Sequence, residues 1–129
     1  MRSINKVILI GNATRGAELR QTKSGKPVSN IRVATNRLSG GEERSQFHTV
    51  ICWDRLAETT AAYVKKGDPL YVEGRLQYRS YQDEEGKERG VAEVVAADVQ
   101  FLDGLGDKRT DLPPDDRDDR AVEVLDRPF

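Results

Sequence analysis

Two-residue alternation of apolar and polar side chains, repeated in five separate stretches and interrupted by one helical pattern, is what most constrains this chain. Asn5 to Asn12 reads as a buried aliphatic strand, and Val28 to Thr35 sets Ile31, Val33 and Thr35 on one face with Asn30 and Arg32 on the other. Phe47 to Trp53, Leu70 to Tyr81 and Val91 to Phe101 complete the set. Between the third and fourth, over Asp54 to Lys66, Leu56, Thr60, Tyr63 and Val64 recur at helical spacing. Lys65-Lys66-Gly67 supplies a cationic, glycine-terminated end. Turn chemistry marks the joints at Lys23-Ser24-Gly25-Lys26-Pro27, at Ser39-Gly40-Gly41 and at Asp83-Glu84-Glu85-Gly86.

Three strands, a helix and two more strands is the element order of an oligonucleotide-binding (OB) fold, a five-stranded Greek-key barrel. Other small barrels share that order, and it does not name a ligand. The expected fold class is therefore all-β with one short helix, over residues 1–102. From Asp103 onward Gly, Pro and Asp dominate, a composition that buries too little to offset ordering entropy, so 103–129 is expected to be a flexible acidic tail. Charge divides at the same place: residues 1–102 carry 16 basic and 13 acidic side chains, 103–129 carry 5 and 9.

Composition excludes several classes. With 36% apolar residues and no run near 18, no membrane span is expected. The four aliphatic residues Val7 to Ile10 are too few for a signal-peptide core. Cys52 is alone, so no intrachain disulfide forms, and a reducing, cytoplasmic setting is the simplest expectation. His48 and Cys52 lie four residues apart on one strand, about 13 Å, too far for a nucleophile–base dyad. One His and one Cys do not make a structural zinc site. Gly11-Asn12 and Gly40-Gly41 lack the lysine and helix of a phosphate-binding loop. No enzyme activity, cofactor or metal is expected.

The remaining signal is where aromatics and cations fall. On the third strand Phe47, Thr49, Ile51 and Trp53 share one face and His48, Val50 and Cys52 the other, and periodicity alone leaves open which face lines the barrel. On the fourth, Leu70, Val72, Gly74, Leu76 and Tyr78 form an apolar face, while Arg75, Arg79 and Tyr81 fall on the opposite, wet one. Guanidinium groups for phosphates beside a flat ring for a base are what a single-stranded nucleic acid requires. A merely solvated strand face is the plain alternative.

Ile4-Asn5-Lys6-Val7-Ile8-Leu9-Ile10-Gly11-Asn12, Val28 to Thr35, Phe47-His48-Thr49-Val50 and Tyr63 to Leu76 together resemble the bacterial single-stranded DNA-binding proteins, in order over residues 2–102. The resemblance implies a homotetramer of OB barrels that binds single-stranded DNA without sequence preference during replication, recombination and repair. It implies stacking by Phe47, Trp53 and Tyr81, and an assembly role for His48. Lys6, Arg32, Arg55, Arg75 and Arg79 are the phosphate candidates. A stacking Trp common after Ala34-Thr35 in that family is replaced by the short Asn36-Arg37-Leu38-Ser39-Gly40-Gly41, so one platform is missing and lower affinity per monomer is expected unless Arg37, Arg44 or Tyr78 substitutes.

The family's tail recruits replication and repair enzymes through acidic residues, an aliphatic residue, Pro and Phe. Here the sequence is Asp126-Arg127-Pro128-Phe129, with Arg127 in the aliphatic place. The acidic run Asp115, Asp116, Asp118 and Asp119 is expected to compete weakly with DNA for the cationic face. The expected location is cytoplasmic, with the nucleoid. The alternatives are a primosome-type OB-fold accessory protein, normally dimeric, and an OB-fold module that binds protein through its strand edge.

Overall fold

The computed structural model describes residues 2–102, so the tail residues Asp126, Pro128 and Phe129 lie outside it. Its elements are β1 (Val7–Ala13), β2 (Glu18–Gln21), β3 (Pro27–Ser39), β4 (Glu42–Trp53), α1 (Asp54–Tyr63), β5 (Pro69–Gln82) and β6 (Glu88–Phe101). The sheet order is β1-β5-β6-β4-β3-β2, and β1 also pairs with β3 at Asn12↔Ala34 and Ala13↔Val33. That extra pairing closes five strands into a barrel, with β2 added outside the ring on β3. The expected all-β barrel with one short helix is what forms. The four-residue β2 has too little alternation to stand out in the sequence.

Closure needs a close crossing, and Gly11 permits it. A Cβ at Gly11 would run into the Ala34 carbonyl oxygen across the β1–β3 seam. Gly74 does the same on the other side, where the β5–β6 register shifts between Glu73 and Gly74 and a Cβ would meet the Val95 carbonyl. Inside, Ile31, Val33, Val50, Cys52, Leu70 and Val72 are buried together. Each large aliphatic side chain here contributes on the order of 1.5–3 kcal/mol.

Helix α1 is anchored to this core through Ala57 and Thr60. The Thr60 hydroxyl donates to the Leu56 carbonyl at 2.9 Å and shares a 2.7 Å hydrogen bond with Ser29 on β3. It ends at Tyr63, three residues before the expected Lys66. The chain then turns through Gly67 (φ 91°), with the Asp68 carboxylate accepting from the Lys65 amide at 2.8 Å. The cationic Lys65-Lys66 pair therefore belongs to the turn and not to the helix. Among the described residues, no helix is long and apolar enough to cross a membrane.

Candidate nucleic-acid interface

Residues directly opposite on neighbouring strands share a side of the sheet, so the register decides which face each side chain occupies. Val50 and Cys52 enter the barrel core, which sends Phe47, Thr49, Ile51 and Trp53 outward. Their partners on β3 are Ala34, Arg32, Asn30 and Val28. The parallel pairing Ile51↔Val95 continues this outer face onto β6, and Arg75↔Val95, Gln77↔Glu93 and Tyr81↔Arg89 carry it onto β5. One outer surface thus runs from Trp53 to Tyr81 across four strands.

On the β3–β4 side each aromatic has a cation beside it. Lys26 Nζ lies 5.9 Å from the centre of the half-buried Trp53 ring, and Arg32 Cζ lies 5.7 Å from that of Phe47. The floor under Trp53 is a small apolar cluster of Val28 and Ile51. Arg32 Nη1 donates to the Thr49 hydroxyl at 2.6 Å, which aims the guanidinium along the face. Lys26 escapes sequence reading because its segment is a turn, and only the fold lays it over Trp53.

The β5–β6 side differs from expectation. Arg79, expected on a wet face, has a side chain only 7% exposed. Its Nε and Nη2 donate to both carboxylate oxygens of Glu93 at 2.9 and 3.0 Å. Glu93 was hidden in the strand Val91 to Phe101, and nothing local ties it to a residue 14 positions earlier. Tyr81 is half-buried on this same face, whereas Tyr78, expected on the apolar one, is 76% exposed on the reverse of the hairpin. The reason is that β5 and β6 run past the barrel beyond Leu76, where there is no core for Tyr78 to enter. Arg75 remains exposed, with Nη1 donating to Gln77 at 3.3 Å.

The other candidates flank this surface. Lys6 lies just before β1 and pairs with Glu73 at 3.1 Å, beyond β5 in the sheet order. Beside it the Asn5 amide brackets Leu76, accepting from its N–H at 2.9 Å and donating to its carbonyl at 2.8 Å. Arg55 is exposed on α1, two residues after Trp53. The stretch after Thr35 is a hairpin turning through Gly40 (φ 60°) and Gly41 (φ 82°), and it places Arg37 opposite Arg44.

Neither His48 nor Cys52 has the setting of a reactive group. The His48 ring shares a 2.8 Å hydrogen bond between Nε2 and Thr35. Burial, then the Arg32 charge, lowers its pKa and keeps it neutral at pH 7. Burial pushes the Cys52 thiol up to about 11, with hydrogen bonds to Ser29 and Thr60 opposing it. No group of three or more His, Cys, Asp or Glu side chains able to hold a metal ion occurs among the described residues.

Residues 4–102 match the model of the single-strand binding protein family. A single-stranded DNA-binding protein of Rhizobium meliloti is 42% identical over 115 residues, covering 81% of this chain and 66% of the relative. One from Halalkalibacterium halodurans is 42% identical over 106 residues, covering 80% and 63%. Single-stranded DNA-binding protein 1 of Chlorobaculum tepidum is 40% identical over 107 residues, covering 78% and 66%. The chain spans just under two thirds of the length of these curated relatives.

Proposed function

The chain belongs to the single-strand binding protein family, and from that premise we propose that it binds single-stranded DNA, without sequence preference, across the outer face from Trp53 to Tyr81. The observation that carries this reading is the pairing of each β4 aromatic with a cation, Trp53 with Lys26 and Phe47 with Arg32. A base stacks on a ring whatever its identity, because every base has a π-face, and the neighbouring cation meets the adjoining phosphate. Phe47, Trp53 and Tyr81 are the stacking platforms in this reading. Arg32, Lys26 and Arg75 line the phosphate path, with Lys6 and Arg55 at its margins.

The binding is non-catalytic: it holds and protects exposed strands in replication, recombination and repair. Ile8 and Ile10, 54% and 62% exposed on the outer side of β1, support assembly of several copies, a homotetramer in this proposal. Two further parts of the reading rest on family likeness. They are recruitment of replication and repair enzymes through Asp126, Pro128 and Phe129, and a cytoplasmic location at the nucleoid.

Trp53 is the only Trp, so its fluorescence reports directly on the site. Titration with oligo-dT is expected to quench it, with affinity falling as salt rises. Trp53→Ala is expected to weaken binding by about 1–3 kcal/mol, independent of base sequence, in a gel-shift assay. Absence of binding at low salt would overturn the proposal in favour of a barrel that binds protein.

A further inference from the structure

At the middle of the proposed face sits a carboxylate. The Glu93 side chain has no solvent exposure, and its two oxygens accept three hydrogen bonds. Oε1 takes Arg79 Nε at 2.9 Å and Gln77 Nε2 at 3.1 Å, and Oε2 takes Arg79 Nη2 at 3.0 Å. Two parallel N–H···O bonds from one guanidinium edge are the same grip an arginine takes on a phosphate. An edge closed on a carboxylate is not open to a second anion.

Resting on the single-strand reading above, we propose that Glu93 is a specificity-determining residue that occupies Arg79 in place of a phosphate. The centre of the face then carries a buried ion pair of zero net charge beneath the bases, and phosphates are confined to the flanks. A phosphate placed over the pair would meet the Glu93 charge, whereas on the β3–β4 side Arg32 is bonded to the neutral Thr49 hydroxyl. Arg79 thereby works as a positioning residue: it ties β5 to β6 two residues before Tyr81 and adds nothing to the count of neutralised phosphates.

That count is measurable, because each phosphate neutralised on a single strand contributes about 0.7 to the slope of log affinity against log salt. The experiment titrates the full chain with oligo-dT at several salt concentrations. Three proteins are compared: wild type, Glu93→Gln, and the double variant Glu93→Gln/Arg79→Gln, which replaces both charges by amides of similar size. The double variant is expected to keep the wild-type slope. Glu93→Gln alone is expected to steepen it by about 0.7, since an amide oxygen leaves part of the guanidinium edge to a phosphate. Its affinity should then fall about fivefold more than wild type per tenfold rise in salt.

A double variant whose slope is shallower by about 0.7 would show that Arg79 grips a phosphate in the native protein, and would overturn the proposal. So would an unchanged slope in a folded Glu93→Gln chain, because a merely structural pair would lower the melting temperature without moving the slope. If Glu93→Gln alone does not fold, the double variant still decides. A wild-type chain that fails to bind oligo-dT fails the single-strand reading itself, a distinct result.

Discussion

The two halves of the outer face treat positive charge in opposite ways. On β3–β4, Lys26 and Arg32 lie beside the faces of Trp53 and Phe47, and Arg32 Nη1 donates to the neutral Thr49 hydroxyl. On β5–β6, Arg79 is closed on both oxygens of a buried carboxylate. In the proposed reading the first half sets its cations toward a ligand's anions, whereas the second uses its cation to hold itself together. The difference follows from support. The β3–β4 face lies over the packed Val28 and Ile51 cluster, while the β5–β6 hairpin extends beyond the barrel and takes its rigidity from polar contacts.

From this contrast, Arg79→Ala is expected to produce the largest loss of stability on the face. Removing it strips the buried Glu93 carboxylate of its charged partner, a cost of about 3–5 kcal/mol in urea denaturation. A loss below about 1 kcal/mol, the level of a surface ion pair, would break the comparison. Lys26→Ala tests the opposite half with a smaller effect. Stability should stay within about 0.5 kcal/mol, while the salt slope for oligo-dT becomes shallower by about 0.7. A fall in melting temperature without a change in slope would assign Lys26 to packing.

The smallest expected effect concerns the tip of the hairpin. Asp83 Oδ2 accepts from Arg89 Nε at 2.9 Å, and Oδ1 accepts from the Glu85 and Lys87 amides at 3.0 and 2.9 Å. The Arg89 bond, the largest influence, outweighs desolvation, which raises the Asp83 pKa, and with the Lys87 and Glu85 amides and the Arg89 charge lowers it overall. A carboxylate with a lowered folded-state pKa stabilises the fold above its unfolded value, about 3.9, and that contribution disappears as pH falls through the folded value. The protection of the Glu85 and Lys87 amides against hydrogen exchange, relative to the unstructured rate at each pH, is therefore expected to hold from neutral pH down to about 5 and to fall in stronger acid. Asp83→Asn should remove that acid step, and an unchanged acid step in the variant would assign it to another group.

How far the sequence could be read varied with the distance over which each feature is decided. The alternation in Val28 to Thr35 is local, and Ile31 and Val33 enter the core as it implies. The turn at Gly40-Gly41 is equally local, since both residues need positive φ. The helix end is decided beyond the helical pattern: Lys65-Lys66-Gly67 looks like a helix terminus, but the Asp68 carboxylate accepts from the Lys65 amide and claims those residues for a turn. Phe47 and Trp53 were legible as a pair on one side of a strand. Which side faced out required Val50 and Cys52 to find core partners on other strands.

Local pattern is enough for the order of the five barrel strands and the helix, though not for β2, for the turns between them, and for the supply of aromatics and cations, because φ/ψ preferences and two-residue periodicity act between near neighbours. Tertiary structure alone decided how those side chains are used. Lys26 reaches Trp53, Tyr78 turns to solvent while Tyr81 joins the outer face, and Arg79 is committed to Glu93. Each outcome depends on the register between strands and on where the core ends. Those are set only when distant segments bury their apolar faces together, and a buried charge must then take whatever partner the closed barrel puts within reach.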